Sequence, residues 1–80
     1  MSDQPQFDHL RRDCSARLEE FIIEVRETER RTRNIKSPAT VQEVEWFTTQ
    51  RGTELDACHE YILASRQLVE FLDKHVRSIQ

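Results

Sequence analysis

The fold is decided by residues 41–79, which read VQEVEWFTTQRGTELDACHEYILASRQLVEFLDKHVRSI. Apolar side chains recur in this stretch with the heptad spacing of a long helix that packs lengthwise against other helices. The first core position of the repeat holds Val41, Leu55, Ile62, Val69 and Val76, and the second holds Val44, Cys58, Leu72 and Ile79. Thr48, Arg51 and Ser65 interrupt this repeat without shifting its register. The stretch therefore predicts one long helix.

Composition favours an all-α chain that forms a single domain over residues 1–80. Apolar residues make up 36% of the chain and charged residues 34%, with one glycine and two prolines, a mixture that suits long amphipathic helices. The net charge of −3 argues against a surface dominated by contacts to nucleic-acid phosphates. No secretory signal, membrane span or disulfide framework is recognisable, so we expect a cytoplasmic protein that does not enter membranes.

Two long helices are predicted, at about residues 4–33 and 38–79, joined by a turn at about 34–37. Asp3 can cap the first helix, and the pair Ser37–Pro38 is a strong start signal for the second. So short a connection predicts an antiparallel helical hairpin. Gly52 leaves alternatives open, since it could kink the second helix, or Thr53 could cap a third helix and give a three-helix bundle.

Folding this hairpin about residue 36 sets residue i beside residue 72 − i. Cys14 then lies level with Cys58, and the first helix ends opposite about residue 68. The rest of the second helix is left without an intrachain partner, which predicts a homodimer that forms a four-helix bundle. The alternative is that a different protein binds this part of the second helix. The predicted dimer interface comprises Tyr61, Leu68, Val69, Phe71, Leu72, Val76 and Ile79.

Candidate partner-binding residues lie near the turn, where basic side chains cluster around a tryptophan. They are Trp46, Arg30, Arg31, Arg33 and Arg51. Trp and Arg are enriched in interface hot spots, although Trp46 could equally be covered by its own loop at Ile35. No spacing of histidines, cysteines or acids indicates a catalytic, cofactor or metal site. Cys14 and Cys58 are interpreted as small core residues, with a disulfide between them as the alternative.

These features predict a non-enzymatic protein-interaction module that binds and modulates another protein through an apolar helical face. Such a coiled-coil hairpin could act as an inhibitor, anti-activator, adaptor or chaperone. The alternative function is a nucleic-acid-associated regulatory hairpin dimer that uses the basic tip. In general shape the predicted hairpin is similar to plasmid copy-number-control hairpins that bind RNA, although it shares no residue motif with them.

Overall fold

The computed structural model describes residues 4–36 and 38–79, with side chains described as far as residue 75. Helix α1 spans Gln4–Thr32 and helix α2 spans Val41–Ile79. The two helices run antiparallel and pack against each other in a rod 61 Å long and 14 Å across. The prediction of an all-α hairpin of two long helices is therefore confirmed, and the described residues contain no strand.

Gly52 does not interrupt α2, which continues as one helix from Val41 to Ile79. At about 1.5 Å of rise per residue, 39 residues extend about 58 Å, which is close to the full length of the rod. The chain thus forms two helices rather than the alternative three-helix bundle. A Cβ atom added at Gly52 would meet no other atom within 4 Å, so packing does not require glycine there.

Helix α2 begins at Val41 because Thr40 and Glu43 form a reciprocal capping box. The Thr40 amide donates to the Glu43 carboxylate at 2.9 Å, and the Glu43 amide donates to the Thr40 hydroxyl at 3.1 Å. Two amides that would otherwise lack partners are satisfied in this way. The helix therefore starts at Val41 rather than at the predicted Pro38, and Ser37 lies outside the described residues.

A single seam of buried and half-buried residues joins the helices, with alternating spacings of three and four. Helix α1 contributes Phe7, Leu10, Cys14, Arg17, Phe21, Glu24 and Thr28. Helix α2 contributes Phe47, Gln50, Glu54, Ala57, Tyr61, Ala64, Leu68 and Phe71. The core is thin, because Ala64 at 5% exposure and Gln50 at 8% are the only described side chains classed as buried.

The apolar repeat that holds the predicted core positions does not face α1, which corrects the prediction that these positions form the core between the helices. Val41 is 74% exposed, Leu55 62% and Val69 60%. The repeat is regular, but it lies one residue, or about 100°, around α2 from the seam. Helix α1 instead packs on the neighbouring stripe, whose alternation of small alanines with aromatic rings lets two helices approach closely.

Aromatic contacts set the register of the hairpin. The Phe7 ring stacks on Phe71 with centroids 6.1 Å apart, and the Arg31 guanidinium lies 4.4 Å from the Trp46 ring centroid. Residue i therefore lies level with about residue 78 − i, six residues from the predicted register. Cys14 is level with Ala64 instead of Cys58, and both cysteines are free thiols.

The corrected register removes much of the predicted overhang. Helix α1 reaches a level near residue 74, so Leu68 and Phe71 are half-buried inside the hairpin rather than left without a partner. In this register the last residue of α1, Thr32, lies level with about residue 46, so the first residues of α2 extend past the end of α1 toward the connection at residues 33–40. The side chains of Val76 and Ile79 lie outside the described residues.

Candidate protein-interaction face

One side of the hairpin carries an apolar surface, here called the open face. Each residue of an α-helix is rotated by about 100° around the helix axis from the residue before it. In an antiparallel pair, the residues that directly follow the seam residues therefore lie on the same side of the pair in both helices. On α2 these positions hold Val41, Val44, Thr48, Arg51, Leu55, Cys58, Ile62, Ser65, Val69 and Leu72. On α1 they hold Asp8, Arg11, Ser15, Leu18, Ile22, Val25, Glu29 and Thr32.

Exposed hydrophobic side chains are concentrated on the open face. The described chain exposes ten large hydrophobic residues, and all of them except Ile23 and Leu63 lie there. The opposite side, here called the polar face, consists of the positions that precede seam residues. It carries His9, Asp13, Ala16, Glu20, Ile23, Glu27, Thr49, Thr53, Asp56, Glu60, Leu63, Gln67 and Glu70. The hairpin therefore has one apolar side and one solvated side.

The three polar interruptions of the repeat all lie on the open face. Thr48 turns its hydroxyl back to the Val44 carbonyl at 3.0 Å, so it presents its methyl group outward. Arg51 makes no hydrogen bond or ion pair with any residue that the structure describes. Its long side chain can lie along neighbouring apolar surface while the guanidinium stays in water. Between these interruptions, the open face of α2 is apolar.

A polar layer crosses the seam toward the turn end of the hairpin. The buried Gln50 amide donates to the Glu24 carbonyl at 3.0 Å and to the Glu24 carboxylate at 3.1 Å. The Thr28 hydroxyl lies between the Glu24 carbonyl and the Glu54 carboxylate and can donate its single proton to either. Because every buried side-chain nitrogen and oxygen of the described residues has a partner, the layer fixes the register without an orphaned group.

Trp46 lies half-buried at the turn, against the connection. Its neighbours in a small cleft are Arg31, Asn34, Ile35 and Glu43. The Arg31 guanidinium covers one ring face, and the Phe47 ring meets it edge-on with centroids 5.2 Å apart. Ile35 and Trp46 therefore line the same cleft, and a role of Trp46 in partner binding stays a prediction.

Two arginines of the predicted basic tip, Arg30 and Arg33, form ion pairs with glutamates of α1. Arg30 donates two hydrogen bonds to Glu27, at 2.6 and 3.0 Å, and Arg33 donates to Glu29. The hydrogen bonds from Arg30 lower the pKa of Glu27 and raise that of Arg30 itself. Both pairs are solvent-exposed and contribute little to stability. They do reduce the free positive charge that the tip offers to an anionic partner.

Replacing Trp46 by alanine is expected to lower the free energy of unfolding by about 1–2 kcal/mol while helical content is retained. The loss combines part of the burial of a large ring with a cation–π contact worth about 0.5–1 kcal/mol. Urea denaturation followed by circular dichroism measures it, with Thr49→Ala as the exposed control. An unfolding free energy unchanged by Trp46→Ala would instead favour a partner-binding role for the ring.

The sequence-predicted interface residues divide between the two surfaces. Tyr61, Leu68 and Phe71 belong to the seam, whereas Val69 and Leu72 belong to the open face. Arg51 also belongs to the open face, apart from the other arginines of the proposed site. Sequence reasoning missed the contribution of α1, namely Leu18, Ile22 and Val25. The sequence of α2 does contain a signal for a second packing surface, because two stripes with heptad spacing run along it, one residue apart.

Comparison with protein-family models, characterised proteins and solved structures finds no match to this chain. None of the described helices has the length and apolar character needed to cross a membrane.

Proposed function

We propose that this chain is a non-enzymatic protein-interaction module whose open face binds a helical partner. The observation that carries the proposal is the concentration of exposed hydrophobic side chains on one side of a hairpin with almost no core of its own. Full burial of each such side chain contributes about 1.5–3 kcal/mol. Partner binding therefore supplies the apolar burial that the isolated hairpin lacks.

The accessible surface supports this proposal. The chain exposes 6688 Å², whereas a compact monomer of 9.6 kDa exposes about 5,100 Å². The excess of about 1,600 Å² is roughly twice the area that each partner buries in an interface of standard size. An elongated hairpin thus has enough additional surface for a stable interface on one side.

The spacing of the open face indicates the shape of the partner. Its apolar residues recur at intervals of three and four along α2, which is the pattern that receives another helix lengthwise by knobs-into-holes packing. The small side chains of Cys58 and Ser65 alternate with Leu55, Ile62 and Val69, and can form the holes for a partner's larger residues. Inhibition, adaptation or chaperoning of a target would follow from such helix-on-face binding.

The alternative, a nucleic-acid-associated dimer that uses the basic tip, has weaker support. Arg30 and Arg33 are each paired with a glutamate, and Arg31 lies over the Trp46 ring. The polar face that leads away from the tip carries many carboxylates, which would repel a phosphate backbone. We therefore favour protein binding.

The proposed function is tested by affinity capture from the source cell, in which the wild-type chain and two matched glutamate variants serve as baits. We expect wild type and Leu63→Glu to retain the same proteins, including untagged copies of this chain, because Leu63 lies on the polar face. The variant Ile62→Glu places a carboxylate in the centre of the open face and should lose them. Retention of the same proteins by Ile62→Glu would exclude the open face as the binding surface.

A further inference from the structure

We propose that the occupant of the open face is a second copy of this chain, with the α2 helices of the two copies antiparallel and in contact. This inference rests on the proposed function, since it names the partner of the same face. The resulting assembly is a four-helix bundle in which α2 lies on α2 and α1 lies on α1.

The open face of α2 is complementary to the same face of a second copy when the two α2 helices are aligned antiparallel. The centre of this alignment lies between Asp56 and Ala57. This setting brings Val41 opposite Leu72 of the second copy, and Val44 opposite Val69. At the centre Leu55 meets Cys58, and the hydroxyl residues Thr48 and Ser65 meet each other. Arg51 faces Ile62, beside which its aliphatic stem can lie while the guanidinium reaches water. Apolar residues thus meet apolar residues along most of the helix.

The open face of α1 is also complementary to itself, when centred near residue 20. Leu18 then meets Ile22 of the second copy, and Arg11 meets Glu29. Both charged side chains are exposed, and each has one local partner, which is the half-buried Asp8 for Arg11 and the exposed Arg33 for Glu29. A parallel α1 pair would instead place arginine beside arginine and glutamate beside glutamate. Opposite charges at both ends of a short apolar patch therefore specify the antiparallel arrangement.

The two settings can share one two-fold axis. In the hairpin register, residue 20 of α1 lies level with about residue 58 of α2, and the α2 setting is centred less than two residues away. The offset corresponds to roughly 2 Å of helical rise, which a slight tilt of the helices absorbs. The self-complementarity of one helix does not require the other helix to have its centre at the same level. The agreement between the two centres therefore supports a second copy of this chain over an unrelated partner.

The angle between the two stripes of α2 also fits this assembly. The seam and the open face lie about 100° apart around the helix, and a helix at a corner of a square bundle has its two neighbours about 90° apart. The other symmetric arrangement would place α1 on α2 of the second copy. It would set Val69 and Leu72 against Asp8 and Arg11, so it is less favourable.

Cysteine crosslinking of the full chain tests the proposal, combined with light scattering at micromolar concentration. In the Cys14→Ser variant the remaining thiols, at Cys58, lie near the two-fold axis. We expect a dimer that a short bismaleimide crosslinks covalently. The Cys58→Ser variant, which keeps Cys14 in the seam, should form the dimer without crosslinking. A monomer, or a dimer that Cys58 does not crosslink, would overturn the proposal.

Charge reversal adds a test that does not depend on cysteine. Arg11→Glu should weaken the dimer by about 3- to 10-fold, because it replaces two exposed ion pairs, each of modest strength, by two pairs of like charges. The double variant with Glu29→Arg should recover this loss. The absence of recovery would contradict the α1 setting.

The proposed function and the self-association fail in distinguishable ways. If Ile62→Glu abolishes capture of other proteins while the wild-type chain is monomeric, the open face binds a foreign partner and only self-association is overturned. If Ile62→Glu changes neither the wild-type dimer nor the capture of other proteins, the open face is not a binding surface, and both proposals are overturned. If Ile62→Glu leaves the dimer intact but loses the captured proteins, only self-association through the open face is overturned.

Discussion

Replacing Gln50 by glutamate is expected to lower the free energy of unfolding by about 2–3 kcal/mol relative to wild type. Gln50 is buried and donates two hydrogen bonds, one of them to the Glu24 carboxylate. Glutamate would replace the donor by a second carboxylate, so both bonds would be lost and two negative charges would face each other. Loss of a buried hydrogen bond to a charged group costs about 1.5–3 kcal/mol.

Urea denaturation at fixed protein concentration measures this difference, with Gln67→Glu as the matched control. Gln67 is exposed on the polar face, so the same chemical change there should alter stability by less than about 0.5 kcal/mol. Equal stabilities of the Gln50 and Gln67 variants at neutral pH would show that the polar layer does not stabilise the hairpin.

The polar layer shows what the sequence could not predict. Gln50, Glu24 and Thr28 carry the side chains of an ordinary solvated helix surface, and nothing in their local spacing marks them as seam residues. Their burial follows from which stripe of α2 meets α1, and the carbonyl that accepts from Gln50 is 26 residues away in the chain. A contact of this kind appears only once the register is known.

The helices themselves were predictable because their signals are local. Apolar periodicity, the scarcity of glycine and proline, and one break in the middle determine two helices. The orientation of α2 was not predictable from the same signals, because two apolar stripes lie side by side on it. The repeat with the most aliphatic residues is the one that the sequence favours for the hairpin core, whereas α1 packs on the stripe that contains Ala57 and Ala64.

The register differed for a related reason. Two start signals for α2 lie within a few residues, Ser37–Pro38 and the capping box of Thr40 with Glu43. The capping box satisfies two backbone N–H donors at once, and the helix begins there. The level of pairing is instead set by contacts between the helices, such as Phe7 on Phe71 and Arg31 over Trp46. These contacts join residues far apart in the chain, so the start signals of α2 do not reveal them.

Replacing Ala64 by glutamate is expected to have the largest effect on the hairpin, lowering the free energy of unfolding by about 2–4 kcal/mol. Ala64 is 5% exposed and lies level with Cys14, where the helices approach closely. A carboxylate there would be desolvated without a partner, and its extra volume would force the helices apart. Far-UV circular dichroism during thermal unfolding should show a lower midpoint.

The matched control is Ala16→Glu, which makes the same change at an exposed position on the polar face of α1. It should leave the midpoint within a few degrees of wild type, because surface substitutions rarely change stability by more than about 0.5 kcal/mol. The comparison also decides between the two stripes of α2. If the repeat that begins at Val41 were the hairpin seam, position 64 would face solvent, and the two glutamate variants would unfold alike.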